Sequence, residues 1–288
     1  MNIFNLIKCM RIRQWTKNIL IFAALVFSNN ANNLEFVLKS VYAFLIFSLC
    51  AGAVYIFNDI RDIKSDREHP AKRFRPLAAG TVSVRSGWLY MTVLSIISIV
   101  SAFRLHIGFG YIILLYIVLQ IAYTYFLKKL VIVDVFAISF GFLLRVIAGA
   151  VVIDVVISNW ILVCTFLLAL FLALSKRRHE ITLLTGNAAE HRTILQEYSP
   201  YLLDQMIGVV APATLVAYII FTLSEATIDK FGSMIITVPF VLYGIFRYLY
   251  LVHMKAKGGQ PEEILLTDIP LQINIILYGI VVLGIIYF

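Results

Sequence analysis

Apolar stretches of about twenty residues follow one another along nearly the whole chain, and most charged side chains sit in the segments between them. A helix of ~20 apolar residues matches the thickness of a bilayer's hydrocarbon core. Composition leaves no other outlet. The 288 residues are 61% hydrophobic and 14% charged, whereas soluble domains carry about 25% charged residues. The expected fold class is therefore all-α: a polytopic integral membrane protein, one transmembrane domain over residues 1–288, packed as a helical bundle. Soluble-domain counts from length do not apply to such a chain.

The pattern predicts nine helices, over residues 15–31, 36–57, 84–104, 108–126, 131–153, 159–175, 204–223, 233–252 and 270–288. The first has the shortest strictly apolar centre, Ile19–Phe27. Ser83 and Asp204 are expected N-caps of the third and seventh. No Gly/Ser linker divides the chain. The basic segment Met1–Lys17 is followed by no clean small-residue cleavage site, so the first apolar run reads as a permanent span and not as a signal peptide. Cys9, Cys50 and Cys164 are scattered and have neither disulfide nor metal-site spacing.

Formal charge is +8, from 24 basic and 16 acidic residues. Excess Lys and Arg can mark a nucleic-acid binder, but in a membrane chain it reports topology and anionic partners at the membrane surface. With the N-terminus inside, nineteen Lys and Arg fall on inner segments. Only Lys39, Arg104 and Lys230 fall on outer ones, with Arg145 and Arg247 inside spans. The positive-inside rule then places the N-terminus and the long charged loops in the cytoplasm and the C-terminus outside. The two long inner loops stand four spans apart, which is consistent with a duplicated four-helix unit plus a ninth helix.

The densest charge cluster is Asn58–Gly80, "NDIRDIKSDREHPAKRFRPLAAG". Asp59, Asp62 and Asp66 are spaced three and then four residues apart, which puts their carboxylates on one helical face. Asn58 stands four residues before Asp62. Stacked like charges invite a cation, and carboxylate and amide oxygens suit Mg²⁺, which completes its octahedron with water and substrate phosphates. The alternative is a solvated loop in which Arg61, Lys64 and Arg67 neutralise the acids in pairs. His69-Pro70 is expected to end the helix; His69 reads as a cap before a metal ligand. Lys72, Arg73 and Arg75 follow within ten residues, so metal and cations together suit a polyphosphate. Arg75-Pro76 and Gly80 turn the chain back towards the next span.

"NDIRDIKSD" fits the NDxxDxxxD signature of the UbiA-type intramembrane prenyltransferase superfamily. The extension "REHPAKRFRPLAAG", with "RIRQWTKN" (Arg11–Asn18) and "YTYFLKK" (Tyr123–Lys129), resembles the branch that transfers 5-phosphoribose from phosphoribosyl diphosphate to decaprenyl phosphate. The resemblance covers most of the chain. It implies a Mg²⁺-dependent enzyme whose partners are phosphoribosyl diphosphate, a polyprenyl phosphate and membrane lipid, with no role for nucleic acid. Whether copies of the chain form a homo-oligomer is left open. In bacteria of the right kind the product would feed arabinan assembly in the cell envelope.

The superfamily's prenyltransferases carry a second aspartate-rich motif after the sixth span. Here that place reads "SKRRHEI" (Ser175–Ile181), with one carboxylate, Glu180, beside Lys176, Arg177 and Arg178. A second metal array cannot be built from these residues, but an anion site can; ordinary positive-inside decoration is the competing account. Phosphate contact is also expected of Lys128. Tyr123 is balanced between phosphate contact and an interfacial anchor, and Lys17 between phosphate contact and snorkelling to the headgroups. Trp15 reads as an interfacial anchor. In the fifth span Asp134 and Arg145 lie eleven residues apart on one face, with Gly141 and Gly149 near it. Arg145 must face the bundle interior or water, either paired with another helix or lining the cavity.

The expected reaction is polyprenyl phosphate plus phosphoribosyl diphosphate giving polyprenyl-phosphoryl 5-phosphoribose and diphosphate. Asp59, Asp62 and Asp66 carry the catalytic role. Asn58 joins them as metal ligand, and Lys17, Asn58, Lys72, Arg73, Arg75, Tyr123, Lys128, Arg145 and Lys176–Arg178 contact substrate. The rival is a prenyltransferase joining a prenyl diphosphate to an aromatic or other lipid-soluble acceptor. A different class is a secondary transporter using Asp134 and Arg145, which would not concentrate its acids and bases in one membrane-edge loop. The charge bias yields a direct test. In a cysteine-less background, a cysteine at Ser65 is expected to react only with reagent on the cytoplasmic side, and one at Gly232 only from outside. Labelling of position 65 from outside overturns the orientation.

Overall fold

The computed structural model describes residues 3–68, 72–183, 193–255 and 261–288, and among them it contains helices and no strands. His69, Pro70, Arg192 and Lys257 lie outside the described residues. Eight helices are long and apolar enough to cross a membrane. In chain order they are α1 (Leu34–Arg61), α2 (Val84–Leu105), α3 (Ile107–Tyr125), α4 (Val133–Val152), α5 (Asn159–Leu183), α6 (Pro200–Leu223), α7 (Val238–Met254) and α8 (Ile269–Tyr287).

The expected first span is built differently. Ile12–Phe22 is a 3-10 helix and only Ala23–Phe27 is α-helical. Gln14, Thr16, Lys17 and Asn18 interrupt its apolar character, so it never presents the apolar window of the other eight. The winding has a consequence for length. At ~2.0 Å per residue a 3-10 helix draws eleven residues out to roughly 22 Å, against ~16 Å for an α-helix.

Helix starts follow side-chain caps. Asn33 accepts from the backbone N–H groups of Glu35 and Phe36 at 3.0 and 3.4 Å, and Ser83 accepts from Ser86 at 3.1 Å, as expected from the sequence. The expectation for Asp204 is corrected. Helix α6 begins four residues earlier, where Ser199 accepts from Leu202 N–H at 3.0 Å and Pro200 takes the first helical position that suits a residue with no N–H. Helix α5 is longer than expected: "SKRRHEI" is not a loop but the end of this helix.

Contacts divide the chain into two compact units. One holds residues up to Leu25, Asn30–Lys128 and Leu144–Val155; the other holds Val26–Asn29, Lys129–Leu143 and Val156–Phe288. Helix α4 thus contributes its second half to the first unit and its first half to the second. In the first unit Leu6, Cys9, Met10, Ala53, Ile56, Leu77, Val82 and Leu94 form a buried core. The second unit has one core around Phe171, Leu174, Leu203, Ile207, Tyr248 and Leu251, and a smaller one around Tyr218, Phe221, Met234 and Val282. Helices α2, α3 and α8 leave Leu89, Ile96, Leu115, Val118, Ile276 and Ile280 exposed. Apolar surface of this extent is expected where the surrounding medium is lipid.

Within the first unit the 3-10 segment is pinned by polar and backbone contacts. Asn18, 1% exposed, donates to Ser48 Oγ at 2.8 Å and accepts from Arg145 Nε at 2.7 Å. Arg145 also donates to the Tyr116 hydroxyl at 3.2 Å and lies over the Phe47 and Tyr116 rings. Arg145 is thus paired with groups of the 3-10 segment and of α3. Gly149 lets α4 and the 3-10 segment touch backbone to backbone, since a Cβ there would stand 1.9 Å from the Ile21 carbonyl oxygen.

An alanine in a helix interior is ordinarily favoured over glycine by ~1 kcal/mol, so the two substitutions Gly149→Ala and Gly279→Ala separate packing from propensity. At Gly279 a Cβ meets nothing within 4 Å, and the variant should melt at or above the parent's temperature. Gly149→Ala forces the backbones apart, a cost of about 1–3 kcal/mol, and should lower the midpoint by several degrees in thermal unfolding of the purified protein. Equal midpoints for the two variants would remove the backbone contact.

Candidate active site

At the end of α1 the helix reaches Arg61, Asp62 caps it, and a short helix Ile63–Glu68 continues the path. The i→i+4 bonds Asp62 N–H to Asn58 O (2.9 Å) and Asp66 N–H to Asp62 O (2.8 Å) run across the junction, so the carboxylates stay close to helical register. They do not share one environment. Asp59 and Asp66 are each 3% exposed, whereas the Asp62 side chain is 41% exposed.

Cations from distant parts of the chain meet these acids. Arg75 Nη1 donates to Asp59 Oδ1 at 3.1 Å and to Asp66 Oδ2 at 2.7 Å, which proves that those two side chains lie on one face. Arg11 also donates to Asp59 Oδ1, and Lys128 Nζ reaches Asp62 Oδ1 at 3.3 Å. Asn58 Oδ1 accepts from Thr124 Oγ1 at 2.6 Å. The neutralising partners are therefore not Arg61, Lys64 and Arg67. Arg61 lies over the Tyr125 ring, and Arg67 donates to the Ala78 carbonyl at 3.1 Å.

Local sequence explains how Arg75 arrives. Leu77 and Val82 are buried in the core of the first unit, and Gly80 turns the chain with φ of +75°, a conformation glycine adopts without Cβ strain. Arg11 is placed by a left-handed residue of its own, φ 51°, between the helix Ile3–Cys9 and the 3-10 helix. Its guanidinium stacks on Tyr55. Nearby, burial pushes the Cys9 thiol up to about 11, so Cys9 is a protonated apolar filler at neutral pH.

The donor set is all oxygen: Asn58 Oδ1 and the carboxylates of Asp59, Asp62 and Asp66. That chemistry fits a hard divalent cation. Among the described residues no three acidic, His or Cys groups are gathered as a metal site; in this structure the carboxylates are held by the chain's own cations. The other expected substrate contacts divide into two sets. Lys72 is half-buried and Arg73 exposed on the turn Lys72–Phe74; Lys17 and Tyr123 are half-buried on their helices. Arg145 is buried, and its guanidinium is met by Asn18, Tyr116 and Phe47.

Arg177 has acidic partners. It is 2% exposed, and its Nε donates to Asp134 Oδ2 at 2.8 Å and its Nη1 to Glu180 Oε2 at 2.7 Å. Tyr198 O–H donates to Asp134 Oδ1 at 2.8 Å and accepts from Ile132 N–H at 2.7 Å; burial raises the Tyr198 phenol above its ordinary value. These residues form a largely buried polar network of the second unit. Arg178 instead donates to Asp204 at 3.1 Å from a partly exposed position, and Lys176 is half-buried.

Residues 19–262 match the UbiA prenyltransferase family. The chain belongs to that family. Decaprenyl-phosphate phosphoribosyltransferases of Mycobacterium tuberculosis and Corynebacterium glutamicum are 33% and 35% identical to it; each alignment covers 93% of this chain, and 89% and 82% of those proteins. A UbiA homologue of Archaeoglobus fulgidus bound to DMAPP and Mg²⁺ superposes with a TM-score of 0.73 at 18% identity, covering 98% of this chain and 99% of that one. The fold is that of the UbiA family, and the protein is an integral membrane protein.

Arg11 and Thr124 were legible only as parts of the stretches "RIRQWTKN" and "YTYFLKK". Those stretches drew attention to Lys17, Tyr123 and Lys128, because a charge or a phenol advertises itself and a threonine does not. Asp134 and Tyr198 join Arg177 through packing that no spacing rule exposes. The buried network has a thermodynamic signature. Arg177→Ala leaves Asp134 charged and unpaired, which costs about 3–5 kcal/mol, so the variant should lose folded, detergent-extractable protein at growth temperature. The double variant Asp134→Leu/Arg177→Met should recover most of it, read as melting temperature. A single Arg177→Ala variant as stable as the parent contradicts the network.

Proposed function

We propose that this protein is a polyprenyl-phosphate phosphoribosyltransferase, moving 5-phosphoribose from phosphoribosyl diphosphate to a polyprenyl phosphate of the decaprenyl type with release of diphosphate. The observation that carries the reading is the convergence of Arg11, Arg75 and Lys128 on Asp59, Asp62 and Asp66. A site built of interleaved carboxylates and cations suits a metal-bound polyphosphate, and neither group alone would. Supporting it are the identities to phosphoribosyltransferases over most of the chain. So is the end of α5, where Ser175–Ile181 offers one carboxylate, Glu180, and Arg177 pairs with it and with Asp134.

Asn58, Asp59, Asp62 and Asp66 would hold Mg²⁺, which supplies positive charge to the diphosphate. The chain's own residues do the rest. Arg11, Arg75 and Lys128 exchange carboxylate oxygens for phosphate oxygens, with Lys72 and Arg73 adding charge at the rim. The bond between the ribose carbon and the diphosphate oxygen breaks through an oxocarbenium-like state, as in other glycosyl transfers. An oxygen of the lipid phosphate supplies the electron pair of the new bond from the opposite face, which inverts configuration. A phosphate monoester has its second pKa near ~6, so the acceptor arrives ionised and no general base is required. The positive-inside bias supports a cytoplasmic location for this chemistry.

Label from phosphoribosyl diphosphate should enter organic-soluble product only when both polyprenyl phosphate and Mg²⁺ are present, and chelation should abolish it. Asp59→Asn, Asp62→Asn and Asp66→Asn should each remove most of the rate in protein that remains folded. Loss of one contacting cation, as in Arg75→Ala, should reduce catalytic efficiency roughly ten- to a hundred-fold, the worth of one charge-assisted hydrogen bond. Product from a prenyl diphosphate and an aromatic acid, with none from the phosphoribosyl donor, replaces this reading with the aromatic prenyltransferase.

A further inference from the structure

The end of α3 runs in register with the acidic face of α1. Thr124 Oγ1 donates to Asn58 Oδ1 at 2.6 Å, and Lys128 Nζ reaches Asp62 Oδ1 at 3.3 Å. Asn58 and Asp62 are four residues apart, and so are Thr124 and Lys128. All four belong to the first unit. Lys128 is accounted for by its charge. Thr124 is not.

Thr124 is 6% exposed, and its hydroxyl also lies 2.8 Å from the Gln120 carbonyl oxygen one turn earlier. Helical Ser and Thr often satisfy a hydroxyl in this way, as Ser98, Ser139 and Thr214 do at 2.7, 2.9 and 2.8 Å. That bond would suffice to bury Thr124, so Asn58 is a second acceptor that burial does not require. A hydroxyl has one proton, and Asn58 and Gln120 compete for it. The Gln120 carbonyl is already served by the helical i→i−4 ladder, and the shorter contact is to Asn58. The proton therefore belongs to Asn58.

The bond matters because a carboxamide has two unlike ends. A half-turn about its last bond exchanges an acceptor oxygen for an NH₂ group, and only the oxygen can ligate a hard cation. Asn58 is half-buried, so burial alone does not fix which end it offers. Thr124 does: it takes one lone pair of Oδ1, holds the oxygen in place and leaves the second lone pair for a ligand.

We propose that Thr124 is a positioning residue of the cation site, acting through Asn58, whose oxygen it fixes in the orientation that binds a divalent metal. The inference rests on the metal role given to Asn58 in the function proposed above. Hydrogen-bond partners of metal ligands commonly govern affinity by about ten- to a hundred-fold, and a neutral threonine at the end of a helix carries no charge to advertise such a role.

The test uses full-length protein in phosphatidylcholine nanodiscs and Mn²⁺ alone as probe, with free Mn²⁺ read from its electron paramagnetic resonance signal during titration. Asp62→Asn serves as the site control and should weaken binding. Thr124→Val, which keeps the shape and removes the hydroxyl, should raise the Mn²⁺ dissociation constant about ten- to a hundred-fold, while Thr124→Ser should bind close to the parent. In an Asn58→Ala background Thr124→Val should add nothing, since the two substitutions remove one interaction. Without metal, the melting midpoint of Thr124→Val should stay near that of the parent. Parent-like affinity in Thr124→Val overturns the proposal, as does an equal loss in both backgrounds, the result a merely structural hydroxyl gives. A parent whose Mn²⁺ binding ignores Asp62→Asn has no cation site at the acids, which overturns this inference together with the metal role above. Absence of phosphoribosyl transfer with the Thr124 pattern intact would sink the proposed reaction and leave the positioning role standing.

Discussion

A charge buried in a bundle of apolar helices survives only when other polar groups of the protein close around it, and α4 carries two, Asp134 in its first turn and Arg145 further along. At least ~2.5 kcal/mol is lost when such a side chain faces lipid at mid-membrane, and much of the architecture answers that cost. Asp134, fully buried, is met by Arg177 from α5 and by Tyr198 from the chain before α6. Arg145 is met by Asn18 of the 3-10 segment and by Tyr116 of α3. Each contact fixes a partner element that apolar packing alone would leave free to slide. Asn18 especially needs to be where it is, because its segment lacks the apolar length to hold itself in place.

The acids at the end of α1 obey the same rule in a wetter setting. Asp59 and Asp66 are as buried as core residues, and like charges so placed are tolerable only with Arg11 and Arg75 between them. Those cations come from before the 3-10 segment and from the loop after α1, so the cluster joins parts of the chain far apart in sequence. Under the proposed function Asp59, Asp62 and Asp66 would hold a divalent cation that supplies positive charge, while Arg11 and Arg75 would turn from carboxylate to phosphate oxygens.

Much of this was legible because hydrocarbon enforces simple rules. Helix lengths, the Ser83 cap and the acidic face follow from runs, caps and spacings that act locally. Asp204 misled because Ser199, five residues upstream and followed by Pro200, is the stronger start. "SKRRHEI" misled because a charged stretch reads as a loop, whereas Arg177 carries its charge inward to a carboxylate on another helix. Arg145 could be assigned to the interior by cost alone, yet its partners, an amide and a phenol, carry no signal in a single sequence. The 3-10 winding of Ile12–Phe22 was equally silent, since its cause lies in contacts such as that between Gly149 and Ile21.

The Asp134–Arg177 pair also constrains how this lineage can change. An enzyme working with a second metal at the end of α5 needs carboxylates where Arg177 and its neighbours now stand. Replacing Arg177 first strands Asp134, and replacing Asp134 first strands Arg177, so each single step passes through a protein that folds poorly. The two positions are locked in sign epistasis. A route between donor chemistries has to change both at once or lean on a stabilising substitution made beforehand elsewhere, and descendants of one ancestor should keep or lose the pair as a unit.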